Sequence, residues 1–76
     1  MRTKQPRLIV TFETTAMALK MEAVCRAADA PGRLIPVPRE ITAGCGLAWL
    51  AAPQERETLE QLMRGSAVVP QGLYCL

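Results

Sequence analysis

Residues 38–48 read PREITAGCGLA and set one cysteine, Cys45, between Gly44 and Gly46 in a segment with turn character. The thiolate of a cysteine attacks electrophiles and accepts sulfur. Glycines on either side strip side chains from around the sulfur and permit backbone angles that turn amides toward it. Arg39, a few residues upstream, adds a positive charge able to stabilise an anion. On this reading Cys45 is a nucleophile or a carrier atom. The same triplet also reads as a tight turn whose glycines serve geometry and whose cysteine fills space, and spacing alone leaves both readings open.

The other reactive residue types point away from familiar catalytic sets. The chain has no histidine, so neither a Cys-His pair nor a Ser-His-Asp triad can be assembled. The three cysteines form no C-x-x-C, which removes a thioredoxin-type motif and a zinc pair. The glycines match no phosphate-binding fingerprint. No metal and no cofactor are expected. Glu13 and Glu40 are the acids available for proton transfer, but Glu40 adjoins Arg39 and reads as one half of an exposed ion pair. Cys25 borders an apolar helical stripe and Cys75 alternates with Tyr74 and Leu76, so both read as packing residues. Three cysteines cannot all pair within one chain; a free thiol fits a reducing compartment, and a cytoplasmic location is expected.

The elements that must position Cys45 follow from periodicity. Arg7–Glu13 (RLIVTFE) alternates and is rich in β-branched residues, a first strand with Leu8, Val10 and Phe12 on one face. Thr14 or Thr15 can cap a helix over Ala16–Ala30, whose stripe is Met17, Met21, Val24 and Ala28, with Pro31 and Gly32 as its stop. The methionines are core filler. Arg33–Pro38 is a second strand at an edge, because Pro36 and Pro38 remove two ladder donors from the same side. Leu47–Ala51 is a third strand, entered through the loop that holds Cys45. Pro53 opens a second helix with Glu55 and Glu57 in its first turn, Leu59, Leu62 and Met63 as its stripe, a Glu60–Arg64 pair, and Gly65 at its end. The last residues, LYCL, make a fourth strand.

This order is βαββαβ, the ferredoxin-like α+β sandwich: a four-stranded antiparallel sheet, strands one and three central, two helices on one face. The chain of 76 residues reads as a single domain, with 1–6 loose. A domain this small removes only about 60% of its unfolded surface from water. On the face without helices, Ile9, Trp49 or Leu47, and side chains from Leu34 to Val37 are expected to form an apolar patch that binds a second copy or another protein.

Half the residues are apolar and about a fifth charged, a folding composition. A net charge of +2, with the basic residues scattered beyond Arg2, Lys4 and Arg7, is too small for a nucleic-acid footprint, and three aromatics offer little stacking. No apolar run approaches the ~20 residues of a membrane span, and the first residues lack a secretory leader. No nucleic acid and no membrane are expected as partners.

The stretch Pro38–Ala48 resembles the P-R-x-[IL]-[ST]-x-x-C-G motif of a small bacterial domain family described as selenium/sulfur (Se/S) carrier-like. The likeness extends over nearly the whole chain, through an opening x-x-V-x-F-x-[ST] at Ile9–Thr14 and R-L-I-P-x-P-R leading to the cysteine. The resemblance implies that Pro38, Arg39, Ile41, Thr42, Cys45 and Gly46 hold the motif positions and that Cys45 bears the chalcogen; Ala43 and Gly44 fill variable ones. It implies a donor enzyme and an acceptor protein as partners, and a carrier or accessory protein rather than a stand-alone enzyme. Two other readings remain: a non-catalytic interaction module that self-associates through the open sheet face, and a thiol redox switch.

Overall fold

The structure is a computed structural model describing residues 6–41 and 44–76. Its elements are β1 (Leu8–Thr11), α1 (Thr15–Ala27), β2 (Arg33–Pro36), β3 (Leu47–Ala51), a single 3-10 turn (Pro53–Glu55), α2 (Arg56–Gly65) and β4 (Gly72–Cys75). The strands form one antiparallel sheet in the order β2-β3-β1-β4. This is the ferredoxin-like α+β arrangement, with β1 and β3 central. The expected loose segment 1–6 falls, except for Pro6, outside the described residues.

The prolines explain why β2 lies at an edge. Val37 donates to the Gly46 carbonyl at 2.9 Å, and Pro36 pairs with Leu47. Alternation along an antiparallel ladder then turns the nitrogens of residues 34, 36 and 38 outward. Pro36 and Pro38 therefore cost the sheet no hydrogen bond.

Helix α1 starts as the sequence suggests: Thr14 is the cap, and its hydroxyl accepts from the Met17 amide at 3.1 Å. It stops earlier than Pro31 and Gly32 imply. Ala27 is its last residue, and Asp29 takes a left-handed φ of 54°. The Ala30 amide donates to the Cys25 carbonyl at 2.8 Å and the Asp29 amide to Arg26 at 3.2 Å, the paired bonds of a Schellman ending. Helix α2 ends the same way. Its left-handed residue is Ala67, at φ 59°, and the Val68 amide reaches the Met63 carbonyl at 2.9 Å, while Gly65 remains helical. The ion pair on Glu60 runs back to Arg56 at 3.3 Å, one turn before the expected Arg64.

The sheet faces differ from the expected division in one respect. Leu8, Val10 and Phe12 do pack under the helices, with Met21, Cys25, Leu59 and Met63. Trp49 and Leu47, expected on the open face, belong to this helix-side core, as does Leu34. The register requires it, because Val10, Trp49 and Leu34 are cross-strand neighbours and cross-strand neighbours share a face. The Trp49 indole N–H donates to the Pro31 carbonyl at 3.2 Å, which satisfies its polar edge inside the core. Gly32, at φ 119°, lies against that ring: a Cβ there would sit 2.3 Å from the indole nitrogen.

The opposite face is not bare. Ile9 and Ala48 are fully buried together with Ile41, which is 6% exposed, and Ile35, Val37, Leu50 and Leu76 pack around them. Thr11 is buried beside them and its hydroxyl donates to the Gly72 carbonyl at 3.4 Å. Ile41 comes from the β2–β3 connection, so the chain uses its own loop to cover the centre of the helix-free face. Burying an isoleucine side chain stabilises a fold by about 1.5–3 kcal/mol.

Candidate functional site

The segment between β2 and β3 is built around two anchors. The first is Ile41. Its amide donates to the Pro38 carbonyl at 3.0 Å, closing a turn whose central residues, Arg39 and Glu40, are exposed while Pro38 is half-buried. The isoleucine side chain is held in the second core, so the turn is fixed to the sheet at its far end. Thr42, a motif position, and Ala43 lie outside the described residues.

The second anchor is the backbone around Cys45. The Cys45 amide donates to the Phe12 carbonyl at 3.0 Å, and Gly46 accepts from Val37. Gly44 has φ 79°, and a Cβ on it would stand 2.4 Å from the Phe12 carbonyl oxygen and 2.9 Å from Gln71 Oε1. Both the conformation and the close approach exclude a side chain at this position. Gly46 has φ 93° with open space around it, so there only the conformation requires glycine.

These contacts fix the cysteine at the end of the sheet where β1 leaves and β3 begins. Cys45 is half-buried and packs against the helix-side core. Its Sγ points to the Leu47 carbonyl at 3.9 Å, the geometry of a weak S–H donor. The amide of Cys45 is committed to Phe12, so of the amides that the sequence pattern offered to the sulfur, this one is already used. Arg39 is placed on the adjoining exposed turn, free of a structural role in the core.

The remaining cysteines occupy different environments. Cys25 is fully buried in α1, and burial pushes its thiol up from the ordinary value. That disfavours the thiolate and reactivity with it. Cys75 is exposed on β4. Among the described residues, no group of three or more His, Cys, Asp or Glu side chains is arranged to hold a metal ion. No described helix is long and apolar enough to cross a membrane.

Phe12, Gln71 and Ile41 shape the loop as much as its own glycines do. Ile41 carries a motif signal; the other two carry none, because their part depends on contacts between segments far apart in sequence. A cavity of about 190 Å³, lined by Glu13, Thr14, Met17, Val69 and Pro70, is bordered in sequence by the same Phe12 and Gln71.

The loop that carries Cys45 lies within a stretch that matches a known family. Residues 7–75 match the family model described as "Putative Se/S carrier protein-like". The chain belongs to this family. The match spans every strand and helix described above, so the family relationship concerns the whole fold and not the cysteine motif alone. No curated protein and no solved structure gives a significant match.

Proposed function

We propose that this protein is a sulfur or selenium carrier in which Cys45 holds the chalcogen and a partner protein removes it. The observation that supports this most is the coincidence of the family's membership across residues 7–75 with a half-buried thiol on a loop pinned by backbone bonds at residues 45 and 46. A carrier requires an accessible sulfur, a fixed approach direction and stabilisation of an anion. It does not require a general base, so the absence of histidine is no obstacle.

Loading is an exchange with a donor enzyme that carries a persulfide. The Cys45 thiol releases its proton to solvent, and the resulting thiolate attacks the terminal sulfur of the donor persulfide. The bond from Cys45 Sγ to that sulfur forms, the donor's sulfur–sulfur bond breaks, and the donor leaves as a thiolate that takes up a proton. Discharge repeats this exchange with an acceptor thiolate attacking the terminal atom on Cys45. No oxidant is consumed in either step. A selenosulfide follows the same course with selenium as the terminal atom.

Within this reading Arg39 stabilises the anion during transfer, Gly44 and Gly46 hold the turn open to the partner, and Pro38 and Thr42 keep the binding roles that the family motif implies. The protein acts stoichiometrically, as an accessory to enzymes, and thiol exchange suits the cytoplasm. The alternative of a bare interaction module drew on Ile9, Trp49 or Leu47 and side chains from Leu34 to Val37 at the open face; Trp49, Leu47 and Leu34 lie under the helices, while Ile9, Ile35 and Val37 are on the helix-free face beside Ile41.

The test is incubation with a cysteine desulfurase and its substrate, followed by intact-mass analysis with and without reductant. Wild type is expected to gain one reducible sulfur atom and Cys45→Ser none. Equal gain by both proteins would remove Cys45 from the role. Arg39→Gln is expected to load about tenfold more slowly, the equivalent of one charge-assisted contact worth roughly 1.4 kcal/mol.

A further inference from the structure

The two edges of the sheet are unequally protected. At β2 the outward-facing nitrogens include Pro36 and Pro38, which cannot donate, a common way of blunting an edge. At β4 the pattern is reversed. Arg7 and Leu76 exchange both backbone bonds, at 2.7 and 2.8 Å, and the register continues through Leu8–Cys75, Ile9–Tyr74 and Val10–Leu73. Alternation therefore turns the amide and carbonyl of Leu73 and of Cys75 outward, where no proline interrupts them.

The side chains on this edge match its backbone. Residues 72–76, GLYCL, carry no side-chain charge, so the repulsive groups that usually guard an edge are missing. Tyr74 is 37% exposed, and Val69, in the segment leading to β4, is 69% exposed. Leu73 lies in a groove of about 290 Å³ against α2, lined also by Glu60, Met63, Arg64, Val68 and Pro70. We infer that β4 pairs with β4 of a second copy of this chain, antiparallel about a twofold axis through Tyr74.

The occupant is set by self-complementarity. The free backbone groups stand symmetrically on either side of Tyr74, so a dyad there joins Leu73 of one copy to Cys75 of the other and satisfies all of them. Tyr74 meets Tyr74 of the second copy across the closely spaced, non-hydrogen-bonded position, about 4.5 Å between Cα atoms, and the two rings pack on the helix-free face. On the other face Cys75 of the second copy covers Leu73 beside the groove. The groove contributes one acid and one base, Glu60 and Arg64, so bringing two copies together concentrates no single sign of charge. This inference is independent of the role of Cys45.

The experiment is sedimentation velocity over a concentration series, with oxidative cross-linking of two variants under diamide. In Cys45→Ser with Tyr74→Cys and Cys75→Ser, the dyad places the new thiols within disulfide reach, and a covalent dimer is expected. In Cys45→Ser alone, the native Cys75 residues of the two copies lie beyond the ~7 Å that a disulfide can bridge, and none is expected. Tyr74→Lys, at an exposed site, should keep the fold by circular dichroism and lower the dimer fraction at least tenfold. A wild-type chain that sediments as a monomer throughout would overturn the inference and leave the edge to an extended segment of another protein. Cross-linking through Cys75 but not through position 74 would overturn the register.

Discussion

Three cysteines with the same intrinsic chemistry are separated here by what surrounds each sulfur. Cys25 is enclosed by apolar side chains and its ionisation is pushed above the ordinary value of 9.0. As pH rises past that value the unfolded chain ionises first, so the contribution of Cys25 to stability is complete below about pH 9 and falls as pH climbs toward the raised folded value. The urea midpoint of wild type should therefore drop toward that of Cys25→Ala above pH 9, with the gap constant at lower pH. In native protein, iodoacetamide should modify Cys45 and Cys75 well before Cys25. The candidate role of Cys45 was legible in the G-C-G triplet, and its family in the motif around it. The Phe12 carbonyl and Gln71, which press against Gly44, were not, because a bond between residues 12 and 45 leaves no local pattern. Nor does spacing reveal that the sulfur rests against a carbonyl.

At the scale of elements, periodicity identified each strand and both helices, and the two prolines located the β2 edge. Helix ends were read less well. Gly32 and Gly65 looked like stops, yet Asp29 and Ala67 take the left-handed turns, because each Schellman ending is decided by where the following apolar residue must land. Val68 has to return to the core beside Met63, and this forces Ala67 into a conformation that costs an L-residue about 1–2 kcal/mol. Ala67→Gly removes that cost at the expense of some added freedom in the unfolded chain. A net stabilisation of about 1 kcal/mol is expected in urea unfolding, and a loss would show that Ala67 makes contacts worth more than its strain. Gly32 was taken for punctuation, whereas its lack of a side chain makes room for the Trp49 indole, which the sequence pattern had placed on the open face and which packs under the helices.

For the whole molecule, the decisive feature is that a two-layer fold with helices on one side also buries its other side. The β2–β3 connection supplies Ile41 to the cluster of Ile9 and Ala48, which ties the loop bearing Arg39 to the sheet. Sequence reading left that face bare because one isoleucine in a loop carries no periodic signal. Ile41→Ala should cost about 2–4 kcal/mol, measured by urea denaturation, although the residue lies outside every strand and helix. A cost below 1 kcal/mol would mean that the loop is not held by this contact. The Cys45 amide on Phe12 and the Gly46 carbonyl on Val37 hold the cysteine's backbone in place, as the proposed carrier role would require. The most direct measurement isolates the loaded protein from its donor, maps the adduct by peptide mass spectrometry, and then follows its mass after addition of an acceptor thiol. The account predicts one sulfur or selenium atom on Cys45, retained until the acceptor is added and then lost to it. An adduct on Cys75, or one on Cys45 that no thiol can remove, would contradict it.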